Sequence, residues 1–161
     1  MGIEEKLPSG VLLTTVEGVA NAEAKGKLLD GVFRIVNEHT RQPVETPCDA
    51  VLREVATRMR AVLPPGALLG RWGGEEFIAI LEGAAGREPG AIAEALRAAV
   101  AAAPVPFESK AIPITVSIGV ATAFSTDDMD ALLAEADEAL YRAKNSGRNR
   151  VVYGGSPVPA G

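Results

Sequence analysis

Apolar and β-branched residues crowd the stretch Gly10-Val11-Leu12-Leu13-Thr14-Thr15-Val16, a run that predicts a buried strand. From Asn21 to about His39, apolar residues at 28, 29, 32, 33 and 36 return at helical spacing, diluted by Gly26 and Gly31. Two prolines make a loop of Arg41 to Pro47. Asp49 reads as the N-cap of a helix whose apolar positions are 51, 52, 55, 56, 59, 62 and 63 and which Pro64-Pro65-Gly66 ends. Strand-like Ala67-Leu68-Leu69 and Phe77-Ile78-Ala79-Ile80-Leu81 then flank a turn. Gly83 to Gly90 reads as a polar linker, and Ala91 to Ala103 as an Ala-rich helix stopped by Pro104 and Pro106. Residues 105–108 and 112–123 look like a strand pair. Asp127-Asp128 heads a last helix running to about Asn145, and Val151-Val152-Tyr153 is a short edge strand.

This order, βα-αββα-ββαβ, predicts an α/β (α+β) fold with a central, mostly antiparallel sheet and helices packed over it. Residues 1–9 are expected to form a flexible lead-in, 10–153 the domain, and 154–161 a disordered Gly/Pro-rich tail.

Composition narrows the function more than the fold. The chain has 161 residues, 47% hydrophobic and 23% charged, enough for one domain with a core of its own. Aromatics are only 4%, so that core is built from Ala, Val, Leu and Ile. A net charge of −5 argues against a general nucleic-acid binder, which needs a basic surface to displace counterions. Cys48 is the single cysteine and His39 the single histidine. That leaves no intrachain disulfide, no zinc-ligand spacing and no histidine-based triad to expect, and it fits a reducing compartment. Nothing approaches the roughly 18 apolar residues of a membrane span. The acidic start lacks the order of a secretory signal, so a cytoplasmic location is expected.

The candidate chemistry sits between the two strands in Arg71-Trp72-Gly73-Gly74-Glu75-Glu76-Phe77. Two glycines leave no side chain over the turn, so backbone can approach a ligand closely. Two adjacent carboxylates can offer hard oxygen ligands to a divalent cation. Taken alone, the segment equally fits an ordinary solvated hairpin turn.

Gly73-Gly74-Glu75-Glu76-Phe77 resembles the signature of the GGDEF family, the diguanylate cyclases, in its Glu-containing spelling. Two further segments are similar to that family in the right order. Ile114-Thr115-Val116-Ser117-Ile118-Gly119-Val120-Ala121 resembles its central strand, and Ala139-Leu140-Tyr141-Arg142-Ala143-Lys144 followed by Asn145-Ser146-Gly147-Arg148-Asn149-Arg150 resembles its closing helix and turn. The likeness covers roughly residues 10 to 153, firmly from Asp49 onward. It implies a fold related to the palm of nucleotide cyclases. It also implies a reaction in which two GTP molecules, on two domains facing each other, condense to cyclic di-GMP with Mg²⁺ or Mn²⁺. By the same resemblance, Glu75 and Glu76 are the catalytic acids, with Glu75 a metal ligand. Gly73 and Gly74 leave room for phosphates, Asn37 and Asp49 meet guanine, and Lys144 and Arg148 contact phosphate, with Arg71 adding charge. Other readings stay open: Asn37 as a surface helix residue, Asp49 as a cap only, and Lys144 and Arg148 as cations favoured by a helix C-terminus.

The chain also departs from the family. Where the first strand of the resemblance ends in Asp-x-Asp-x-Phe, this one has Thr15, Glu17 and Val19. Thr15 is neutral and a poor Mg²⁺ ligand, which leaves Glu17 as the nearest substitute. Losing such a charge-stabilising group typically costs on the order of 10²–10³ in rate. Asn37 and Asp49 stand farther apart than in the usual pattern. The family's inhibitory Arg-x-x-Asp is replaced by Pro64 and Ala67, so product inhibition through that site is expected to be absent. The expectation is a degenerate GGDEF domain, with weak or no cyclase activity, that binds GTP or a related nucleotide or serves as a protein-interaction module. An active diguanylate cyclase is the alternative, and an enzyme making a different nucleotide product a third reading. Face-to-face chemistry would further require a partner protein or self-association.

Overall fold

The computed structural model describes residues 9–17, 47–72, 74–82, 88–123 and 129–155. The predicted helix over 21–39, with Asn37 and His39, lies outside them, as do Gly73, the Asp127-Asp128 helix head, the lead-in and the end of the tail. The side chains of Glu17 and Cys48 lie outside them as well.

Seven strands and three helices are seen among the described residues. In chain order they are β1 (Ser9–Glu17), α1 (Pro47–Val62), β2 (Leu68–Arg71), β3 (Glu76–Leu81), α2 (Pro89–Ala101), β4 (Val105–Phe107), β5 (Lys110–Ile112), β6 (Thr115–Ala123), α3 (Met129–Asn145) and β7 (Val151–Tyr153). The main sheet has the order β2-β3-β1-β6-β7. Every pairing in it is antiparallel except β6 with β7, which is parallel. The predicted fold class is therefore what forms.

Three details differ from the sequence reading. The strand expected over 112–123 is two strands, because Pro113 has no N–H to give a ladder. β5 turns back on β4 through Glu108, at φ 53°, in a separate two-stranded ribbon. The helix expected from Ala91 begins at Pro89, so Gly90 belongs to α2 rather than to a linker. Likewise α1 begins at Pro47, whose missing N–H suits a first helical position. Asp49 then sits inside the first turn instead of capping it, still where the helix dipole favours a carboxylate.

Strand alternation sorts the side chains onto two faces. Leu12 and Val16 of β1, Phe77, Ala79 and Leu81 of β3, and Val116, Ile118 and Val120 of β6 join α1 and α2 in the larger core. Leu13 and Ala121 point the other way and pack under Leu132, Ala136 and Leu140 of α3, with Ile78 at the margin. The helices α1 and α2 are tied by Arg58. Its guanidinium pairs with Glu54 at 3.1 Å and donates to the carbonyls of Val100 at 2.8 Å and Ala103 at 2.5 Å. It thereby satisfies acceptors that the end of α2 leaves without helical partners. No described helix is long and apolar enough to cross a membrane.

α3 lies unusually close to β6. A methyl group on Gly119 would run into the Ala136 carbonyl and the Leu140 nitrogen, and would stand 3.0 Å from the Leu140 Cα. These are backbone atoms of a packed helix and cannot swing aside. Gly119→Ala is expected to lower stability by about 2–3 kcal/mol or more, read as a fall in the urea midpoint with an unchanged slope. A wild-type midpoint would show that α3 can lift off the sheet at no cost.

Candidate functional site

The register of three strands builds the site. Thr15 of β1 stands opposite Glu76 of β3 on one side and Ser117 of β6 on the other. One row up the sheet, Leu13 is flanked by Ile78 and Gly119. The α3 face is thus apolar under the middle of the helix and turns polar in a single row beneath its C-terminal end. Thr15 and Ser117 are almost completely buried there, so their hydroxyls need partners.

Glu76 is the hub of that row. Thr15 Oγ1 donates to Glu76 Oε1 at 3.4 Å, long for such a bond and therefore weak. Lys144 Nζ, in the last turn of α3, lies 3.6 Å from the same oxygen. Both side chains keep about three tenths of their surface, so the attraction is partly screened and worth at most about 1 kcal/mol. Glu75 is half-buried just ahead of β3, and its carbonyl accepts from the Val16 amide at 3.0 Å. The tip is closed by the Trp72 amide donating to the Glu76 carbonyl at 2.8 Å. A short bond runs from the Arg71 guanidinium to the Gly74 carbonyl.

The turn after α3 carries the other cation. Gly147, Arg148 and Asn149 all have positive φ, at 114°, 63° and 48°. The Arg148 amide reaches back to the Ala143 carbonyl at 3.0 Å, the long bond of a helix ended by a left-handed glycine. Left-handed backbone costs a residue other than glycine about 1–2 kcal/mol, and Asn bears it best. Contacts from two other elements reach the strained pair at Asn149. The Asn149 amide donates to Ser117 Oγ at 3.2 Å, and Arg97 Nη1 of α2 donates to Asn149 Oδ1 at 3.0 Å. Arg97 is itself clasped by Glu94, with its Nε donating at 2.9 and 3.0 Å to the two carboxylate oxygens. Ser117, Asn149 and Arg97 were not singled out by the sequence reading.

The structure thus brings Thr15, Glu76 and Lys144 together, with Glu75 next to Glu76 in the chain and Arg148 on the turn after α3. Asp49 is placed in α1, half-buried. Glu17 closes β1 opposite Thr115, two residues beyond the last residue paired with β3. Among the described residues, no three or more His, Cys, Asp or Glu gather in a way that could hold a metal ion. The carboxylates of Glu75 and Glu76 are hard oxygen donors of the kind that suits a Mg²⁺ shared with nucleotide phosphates. At the positions where the family's inhibitory Arg-x-x-Asp would stand, a hollow of about 450 Å³ is lined by Arg60 and otherwise by apolar or proline residues, Pro64 and Ala67 among them.

The family model described as "Diguanylate cyclase, GGDEF domain" matches residues 45–150, more than half of the chain. The chain belongs to the GGDEF family. It is 35% identical over 112 residues to Diguanylate cyclase A of Treponema denticola, covering 69% of this chain and 30% of that protein. In structure it is similar to the active GGEEF domain of a diguanylate cyclase from Vibrio cholerae, with a TM-score of 0.68 at 26% identity over 93% of this chain and 85% of that one. It is also similar to the diguanylate cyclase SiaD of Pseudomonas aeruginosa, solved in complex with its activator SiaC. There the TM-score is 0.69 at 27% identity, over 91% of this chain and 50% of that one. This GGDEF domain therefore spans under a third of the Treponema relative's length.

One electrostatic feature of the site has a direct pH signature. Hydrogen bonds from Arg97 hold the Glu94 carboxyl below the ordinary carboxylate range. A lowered acid stabilises the fold fully above its unfolded pKa and loses that contribution as pH falls through its folded value. The Glu94 side chain is more than half exposed and that of Arg97 about a quarter, so solvent screens the pair and the effect is small, under about 1 kcal/mol. Glu94→Gln is expected to flatten the acid limb of a plot of thermal midpoint against pH and to leave the neutral-to-alkaline part parallel to wild type. An unchanged acid limb would show that the pair contributes nothing in solution.

Proposed function

We propose that this GGDEF domain acts in cyclic di-GMP signalling by holding GTP or a related guanine nucleotide, and that it condenses the nucleotide weakly or not at all. The observation carrying this reading is Thr15. At the row where the family pattern has an acid, a neutral, buried hydroxyl donates to Glu76, whose same oxygen faces Lys144. The negative charge available to a second cation is reduced accordingly. Glu75 would hold Mg²⁺ or Mn²⁺ together with the triphosphate, with Glu17 the nearest further acid along β1. The ion would neutralise phosphate charge and polarise the phosphoryl oxygens. Lys144 and Arg148 would supply the remaining positive charge, Gly73 and Gly74 the room for phosphates, and Asn37 and Asp49 the guanine contacts. A protein partner or a second copy is part of the reading, as an activator is for SiaD.

The competing reading, an active cyclase, is favoured by the intact Glu75-Glu76 pair with Lys144 beside it. The two separate cleanly. With GTP and Mg²⁺ or Mn²⁺, cyclic di-GMP measured by mass is expected to be near background, while a non-hydrolysable GTP analogue binds in titration. Thr15→Asp is expected to raise product at least about tenfold, within the range such charge-stabilising groups are worth. Clear turnover by the wild-type chain would overturn the proposal in favour of the active enzyme. Failure to bind the analogue would leave a protein-interaction module.

A further inference from the structure

The reading above assigns nothing to Arg97, which lies on the far side of the sheet from α3. Yet Arg97 makes the contact between α2 and the turn that presents Arg148. Its guanidinium is oriented by Glu94 and donates through Nη1 to Asn149 Oδ1 at 3.0 Å. The Asn149 backbone is fixed from the other side by Ser117 Oγ at 3.2 Å, and Ser117 shares the row of Thr15 and Glu76. Next to the anchored residue stands Arg148, exposed and at φ 63°. An arginine in left-handed backbone does not hold that shape unaided. A planar, always-charged guanidinium suits the task, because its fixed fork meets a carboxylate and an amide oxygen at once.

We propose that Arg97 is a positioning residue for phosphate binding: clasped by Glu94, it holds Asn149 and so keeps Arg148 aimed at the triphosphate. This rests on the reading of Arg148 as a phosphate contact. Arg97 itself touches no ligand in this scheme. Its effect passes entirely through the turn, so it should matter for a triphosphate and not for a nucleoside.

The test combines a ligand-free readout with a ligand-bound one, on the full chain. In Arg97→Ala, hydrogen exchange at the Asn149 amide is expected to quicken about tenfold, while the Val116 and Ile118 amides of β6 keep wild-type protection. Affinity for a non-hydrolysable GTP analogue is expected to fall roughly three- to tenfold, with guanosine affinity unchanged. In an Arg148→Ala background, adding Arg97→Ala should weaken the analogue no further, because coupled residues are not additive. Unchanged exchange at Asn149 would overturn the proposal, as would an affinity loss that persists without Arg148. If the wild-type chain binds no analogue at all, the nucleotide reading fails and with it the phosphate role given to Arg97. Quickened exchange at Asn149 would then leave Arg97 as a brace of the turn alone.

Discussion

Gly119 has a hydrogen where any other residue would press a methyl against the backbone of α3. That absence lets the helix settle directly on β6, and the position of its two ends follows. The N-terminal and middle turns cover Leu13 and Ala121, and the last turn brings Lys144 over the row formed by Glu76, Thr15 and Ser117. Lift the helix by one methyl and the apolar seal and the Lys144–Glu76 distance change together. The candidate site is in this sense a by-product of packing: the cation sits where it does because the sheet beneath it has no side chain at one point.

The same geometry explains why so few polar groups suffice. The sheet buries hydrocarbon on both faces, under α1 and α2 on one side and α3 on the other. A polar row at the rim of such a sheet must find partners locally, and it does. Thr15 takes Glu76, Glu76 takes Lys144, and Ser117 takes the Asn149 amide. An acid at position 15 would add charge beside Glu76 and raise the pull on a metal ion. Threonine instead gives Glu76 a weak hydrogen bond, and Lys144 is the counter-charge beside the same oxygen.

The strained turn after α3 shows how a surface cation can be given a direction. Helix geometry alone delivers the chain to Gly147 and then releases it. The left-handed stretch that follows is held from two elements, Ser117 of β6 and Arg97 of α2, that have no sequence proximity to it. On the proposed reading, such cross-element anchoring would separate an aimed arginine from one that only answers the helix dipole.

Much of this was legible in the chain itself. Local periodicity located β1, α1, α2, α3 and β7 to within a few residues, because apolar spacing is set by each element's own geometry. The Gly-Gly-Glu-Glu hairpin stood out by composition, and by resemblance it pointed to the family together with the central strand and the Lys144 to Arg148 segment. Errors of detail came where a proline acted on pairing rather than on conformation, as at Pro113, or where a helix opened on one, as at Pro47 and Pro89. What the sequence could not determine was which residues share a row. Thr15, Glu76 and Ser117 are 61 and 41 residues apart along the chain, and only antiparallel register places them side by side. Arg97 and Asn149 lie 52 residues apart and meet across two elements. Chemistry of residue types is written locally, but distance between them is fixed by strand register and helix packing, which only the folded chain decides.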